Sequence, residues 1–174
     1  MIVGIKAAQD MGKTSIMVRS CLYLLAYGGY RPEECYGNLF VNVPGFNVMN
    51  NAGLSDFMRT MVSKRMRHKV ILIDEADGVF PHRFWQDKEQ SKALLGLWQD
   101  IKLFNWIFWT AHLGNAVDVL LRECTQVTVI PKYRRSVDRT DAVIISSIDY
   151  TSRFVVFDHI SRIFPYYKRW DPVW

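Results

Sequence analysis

No apolar run in this sequence approaches the ~20 residues needed to cross a bilayer. The longest candidates, near Ile16–Leu25 and Trp106–Ala111, are short and interrupted, so no membrane span is expected. Cysteine is scarce too. Cys21, Cys35 and Cys124 are odd in number and far apart, which argues against a disulfide framework or a zinc site and for thiols in a reducing compartment. Repeats and low-complexity tracts are missing, and the apolar opening residues run into a glycine-lysine loop rather than a secretory cleavage site. These absences lead to the expectation of an intracellular globular protein. Its 174 residues suffice for one domain with a real core. The net charge of +5 admits a polyanionic partner without demanding one.

What is present alternates between two periodicities. MIVGIK (1–6) reads as a buried strand, and 13–26 has helical spacing closed by Gly28-Gly29. LFVNV (39–43) reads as a strand, and Ser55 as the cap of a helix reaching about Met66. VILID (70–74) is a continuous apolar run ending in acid, as in a doubly covered parallel strand. A helix over 88–103, a strand over 105–111, a short helix over 115–122 and a strand over 126–130 follow. Residues 142–148 and 154–158 form a final hairpin. This order predicts one α/β domain: a mainly parallel sheet flanked by helices, spanning 1–160, with an aromatic-basic tail at 161–174.

Between the first strand and the first helix lies Ala7-Ala8-Gln9-Asp10-Met11-Gly12-Lys13-Thr14-Ser15. A phosphate-binding loop needs this context, because its backbone N–H groups and the helix N-terminus together face the anion. Lys13 would supply a mobile charge to the β- and γ-phosphates of ATP, and the Thr14 hydroxyl would hold Mg2+. Ala7 stands where the motif has glycine, tolerable at a strand end if its φ is negative. Asp10 is the awkward residue: its carboxylate would repel phosphate, so its side chain is expected to face outward, toward a neighbouring subunit. Alone, Gly12-Lys13-Thr14 also reads as a chance tripeptide at a helix start.

VILIDE (70–75) narrows the choice. A strand beside the loop strand that ends in two acids gives Asp74 for Mg2+, through its water shell, and Glu75 to polarise an attacking water. A polar helix start after a strand is the plain alternative for either acid alone. Small-molecule kinases rarely need the second acid, because their nucleophile comes from the substrate. Loop and acids in this order point to nucleotide hydrolysis that drives motion.

With AAQDMGKTS, VILIDEADGVFPHR and NWIFWTAH, residues 1–130 resemble the FtsK–HerA branch of RecA-like P-loop ATPases. Within it the chain is most similar to the genome-packaging ATPases of membrane-containing icosahedral viruses. It also resembles the Zot-like assembly ATPases of filamentous phages, through the run Phe80-Pro81-His82-Arg83. The resemblance implies a γ-phosphate sensor at the end of the strand after the acids, Thr110 or His112, against the plain readings of a buried threonine and a surface histidine. It implies an arginine acting across a subunit boundary: Arg122, or Arg83 as second candidate, with an ordinary helix-terminal arginine as the alternative. It also implies a ring-forming homo-oligomer, a hexamer, that moves double-stranded DNA and docks on viral capsid or vertex proteins. The implied location is the host cytoplasm, at the virion or procapsid vertex.

Three basic clusters are candidates for DNA contact: Lys64-Arg65-Arg67-His68-Lys69, Lys132-Tyr133-Arg134-Arg135 and Tyr166-Tyr167-Lys168-Arg169-Trp170. The expectation is therefore an ATP- and Mg2+-dependent packaging motor. Two alternatives stand beside it. One is a Zot-like extrusion ATPase, set second because such proteins usually carry a membrane span after the ATPase domain. The other is a nucleotide-binding scaffold that does not hydrolyse.

Overall fold

The computed structural model describes residues 1–79, 105–112 and 119–168. The expected helix over 88–103, the Phe80–Arg83 run, and Arg169 and Trp170 lie outside the described residues, as do 113–118 of the short-helix region. Strand β1 (Ile2–Lys6) leads through the loop into helix α1 (Lys13–Tyr27). There follow β2 (Cys35–Gly37), β3 (Phe40–Val41), β4 (Asn47–Val48) and α2 (Asn51–Ser63). Then come β5 (Val70–Ile73), the single turn α3 (Ala76–Val79), β6 (Trp106–Ala111) and α4 (Val119–Cys124). The long strands β7 (Val127–Arg134), β8 (Arg139–Ser146) and β9 (Ser152–Asp158) follow, then a 3-10 segment, Ile160–Tyr166, and β10 (Tyr167–Lys168).

The main sheet has eight strands in the order β4-β2-β5-β6-β1-β7-β8-β9. Pairing is parallel from β4 to β7, and β8 and β9 add antiparallel. The expected mainly parallel sheet with a terminal hairpin is present. One relation differs: the acid-bearing strand β5 is not beside the loop strand, because β6 lies between them. Ile107 of β6 pairs with Ile2 on one side and Ile71 on the other. The strand between them, β6, thus carries the threonine, Thr110, that reaches the acids.

Alternate side chains of these strands enter two cores. On one face Ile2, Ile71, Ile73, Ile107 and Trp109 meet Leu54, Met58 and Met61 of α2 and Leu121 and Cys124 of α4. On the other, Val3, Ile5, Leu72, Phe108 and Val129 meet Ile16, Met17, Cys21 and Leu24 of α1. With both faces covered, β5 is buried at every position, which is why it reads as an unbroken apolar run. Gly4 exists for packing: a Cβ there would stand 2.6 Å from Cζ2 of the Trp109 indole. All three cysteines are buried thiols. A hydrogen bond with Cys35, together with burial, pushes the Cys21 thiol up.

Local boundaries correct the sequence expectations. Asn50, not Ser55, caps α2, its side chain accepting the Gly53 N–H at 2.8 Å. The expected strand 39–43 is only Phe40–Val41, and it leaves the main sheet to pair antiparallel with β10. The neighbouring main-sheet strands β2 and β4 are too short to show a period of two. The strand expected over 126–130 continues to Arg134, where pairing with β8 supports it.

Candidate functional site

β1, β5 and β6 run parallel, so their C-terminal ends open on one edge of the sheet. The loop of residues 7–12 turns there. Gly12, at φ 82°, is the N-cap of α1, and no side chain caps that helix. The N-terminus of α1, where the helix dipole is positive, thus opens on this loop and favours an anion there. A side chain on Gly12 would be strained at this φ and would put Cβ 3.0 Å from Thr140 Oγ1.

Ala7 is buried at the strand end and its φ is not positive, so the missing glycine costs nothing. Asp10 lies at φ 58° and is exposed, bordering the cavity. This left-handed region admits aspartate more readily than most side chains, so Asp10 fills a position that glycine could also serve. Lys13 is 4% exposed, its ammonium donating to the carbonyls of Ala7 at 3.1 Å and Ala8 at 2.8 Å. Its charge is thereby folded back into the loop.

The acids sit beside it. Thr14 Oγ1 donates to Asp74 Oδ1 at 3.0 Å, across sixty positions of sequence. Thr110, fully buried, donates to the same oxygen at 2.6 Å and accepts the Glu75 N–H at 2.9 Å. Glu75 is exposed at φ 50°, a left-handed backbone that is uncommon for glutamate. Asn38, which sequence reasoning missed, grips the backbone of Asp74. Its Nδ2 donates to Asp74 O at 2.7 Å and its Oδ1 accepts the Asp74 N–H at 2.6 Å. An asparagine beside a three-residue strand gives no signal in one sequence.

The structure thus brings together Lys13, Thr14, Asp74, Glu75 and Thr110. His112 follows β6 by one residue, half-buried. Arg122 lies in the last turn of α4, half-buried. Burial, and then the nearby Arg122 charge, lowers the Lys6 pKa, while Lys6 lies 5.0 Å over the Trp109 ring. Arg122 therefore stands near the end of its own β1. Arg83 is outside the described residues.

A cavity of about 470 Å³, within the usual range for a small-molecule site, opens against residues 9–15. Its remaining walls are Tyr133, Arg135, Ile160, Phe164 and Tyr167. Tyr133, Arg135 and Tyr167, members of clusters expected at DNA, border the loop. Arg134 is bound to Asp141 at 2.6 Å. The cluster at 64–69 precedes β5, so it sits at the opposite edge of the sheet from the loop. Its His68 stacks on Tyr30, with ring centroids 4.2 Å apart.

The residues present fit a nucleotide with Mg2+. Thr14 and Asp74 offer two hard oxygens, and no cluster of three His, Cys, Asp or Glu residues occurs among the described residues. A cation held there would draw its other ligands from phosphate and water, as Mg2+ does.

No protein-family model matches the chain, and no curated protein matches it. Solved structures do. The N-terminal domain of zonular occludens toxin from Neisseria meningitidis superposes with TM-score 0.68 at 15% identity, over 96% of this chain and 98% of that one. The genome-packaging NTPase B204 from Sulfolobus turreted icosahedral virus 2, in complex with sulfate, gives 0.62 at 12% identity, over 88% and 94%. The flagellar accessory protein FlaH from Methanocaldococcus jannaschii gives 0.58 at 10%, over 90% and 84%. At these identities the likeness is one of fold: the chain shares the RecA-like P-loop fold of these structures. Among the described residues no helix is long and apolar enough to cross a membrane.

Proposed function

We propose that this chain is a Mg2+-dependent ATPase that works as a double-stranded DNA-translocating motor and packages viral DNA into a preformed capsid. The observation that carries the reading is the convergence of Thr14 and Thr110 on Asp74, with Glu75 held alongside by Thr110. N–H groups at the start of α1 and in the loop would bind the β-phosphate, and Lys13 would exchange its two carbonyls for phosphate oxygens. Mg2+ on Thr14 and, through water, Asp74 would neutralise phosphate charge. Glu75 would accept the proton of the attacking water, its backbone fixed by the Thr110 hydroxyl. Thr110 and His112 are the candidates for sensing the terminal phosphate. Arg122 from a neighbouring copy in a ring, a hexamer in this reading, would complete the charge stabilisation.

The DNA, the capsid or vertex partner and the host-cytoplasmic location follow from the packaging NTPase's likeness to this chain and from the basic cluster at 64–69. A second reading, an assembly ATPase of the zonular occludens toxin type, is favoured by the wider overlay on that toxin's N-terminal domain. Phosphate release measured with and without double-stranded DNA tests the proposal. DNA-stimulated release supports a motor, and no release under any condition supports a non-hydrolysing scaffold. A double-jelly-roll capsid gene beside this one supports packaging, and a filamentous coat gene supports extrusion.

A further inference from the structure

The loop strand has two unlike flanks. Asp74, Glu75 and Thr110 stand at the ends of β5 and β6, on one flank of the loop strand. Tyr133 and Arg135 stand at the end of β7, on the other flank, joined by Phe164 and Tyr167. A nucleotide whose terminal phosphate meets the acids must lay its other end against this second wall.

That wall is built rather than draped. Asp138, in the turn after β7, accepts the Ser161 hydroxyl at 2.6 Å and the Ser161 N–H at 2.9 Å, fixing the start of the 3-10 segment. β10 pairs with β3, and the Asn42 N–H donates to the Tyr166 carbonyl at 2.6 Å, fixing its end. Ile160 is fully buried beneath. The rings meet edge to face: Tyr133 with Phe164, and Phe164 with Tyr167, each at 6.4 Å between centroids. The tyrosine hydroxyls are engaged within the protein, Tyr133 on Asp138 at 3.4 Å and Tyr167 on the loop residue Ser15 at 2.9 Å. These side chains border the cavity, and Phe164, which has no polar atom on its side chain, is 44% exposed.

We propose that Phe164 holds the nucleobase by its flat face, with Tyr133 and Tyr167 set at near right angles to border its rim, and that the site accepts purine nucleotides with little regard to base identity. This deepens the nucleotide reading above and rests on it. Face recognition follows from the wall's chemistry. Every base has a π-face, whereas telling adenine from guanine needs fixed donors and acceptors at the base edge. Arg135, a planar cation, extends the same surface, because a guanidinium also stacks. It follows that the 160–168 segment serves the nucleotide, and that its aromatic residues are not a DNA platform.

Calorimetric titration of the full chain with ADP, GDP, CDP and pyrophosphate tests this without turnover. The expected result is ADP and GDP binding within about fivefold of each other, CDP more weakly through its smaller ring, and pyrophosphate weaker than ADP. Phe164→Ala should weaken ADP and GDP about tenfold while leaving pyrophosphate within about twofold, and Phe164→Tyr should restore ADP affinity. A wild-type preference of more than about a hundredfold for one purine over the other would overturn face recognition, whatever the variants do. Unchanged ADP affinity in Phe164→Ala, or an equal loss of pyrophosphate, would overturn the role of the wall. If wild type binds none of the four, the nucleotide reading itself fails, and this inference with it.

Discussion

Thr110 donates its hydroxyl to Asp74 Oδ1 at 2.6 Å, and the same oxygen atom of Thr110 accepts the backbone N–H of Glu75 at 2.9 Å. One buried side chain thus holds both acids. Thr110→Val keeps the shape and removes both bonds, leaving a buried carboxylate short of one donor. The expected cost is about 1–3 kcal/mol of unfolding free energy, measured by urea denaturation. Phosphate release should fall at least about tenfold with nucleotide affinity little changed. Wild-type stability and turnover in this variant would remove Thr110 from the site.

Asp10 borders the cavity from a left-handed position. Asparagine adopts that backbone nearly as well, so Asp10→Asn should leave stability within about 0.5 kcal/mol. Removing the carboxylate should tighten ADP binding by up to about fivefold at low ionic strength, an effect that fades as salt screens it. Weaker binding in Asp10→Asn would show that the carboxylate assists the nucleotide.

Hydrogen bonding from the Ser161 hydroxyl, chiefly, holds the Asp138 carboxyl below the usual aspartate range. A depressed carboxyl stabilises the fold fully above its unfolded value, about pH 4, and loses that contribution as pH falls through the lower folded value. Asp138→Asn should therefore lower the melting temperature at pH 7, and the gap to wild type should close as pH drops below about 4. Thermal unfolding at pH 7, 5 and 3 checks this. A gap that stays constant to pH 3 would contradict it.

Much of the site was legible because its chemistry is written locally. The loop is contiguous, and the acids end an apolar run that only a doubly covered strand explains. What was not legible depends on pairing across the chain. No single sequence shows β6 inserting between β1 and β5, since β6 is as apolar as its neighbours. Asn38 acts through the backbone of a residue 36 positions away. That Tyr133, Arg135 and Tyr167 line the cavity beside the loop was not legible, because basic-aromatic clusters have the same composition whichever anion they face. Asp10 was puzzling for a related reason: its backbone angle, invisible in the sequence, is what suits it to the loop.

The central claim is that Glu75 activates water for ATP hydrolysis beside an intact nucleotide site. Glu75→Gln removes the proton acceptor and keeps size and polarity. Nucleotide affinity and phosphate release, measured together on this variant, test the claim most directly. The account predicts ATP affinity within about twofold of wild type and phosphate release lowered by about 10²- to 10⁴-fold. Turnover at the wild-type rate in Glu75→Gln would contradict it.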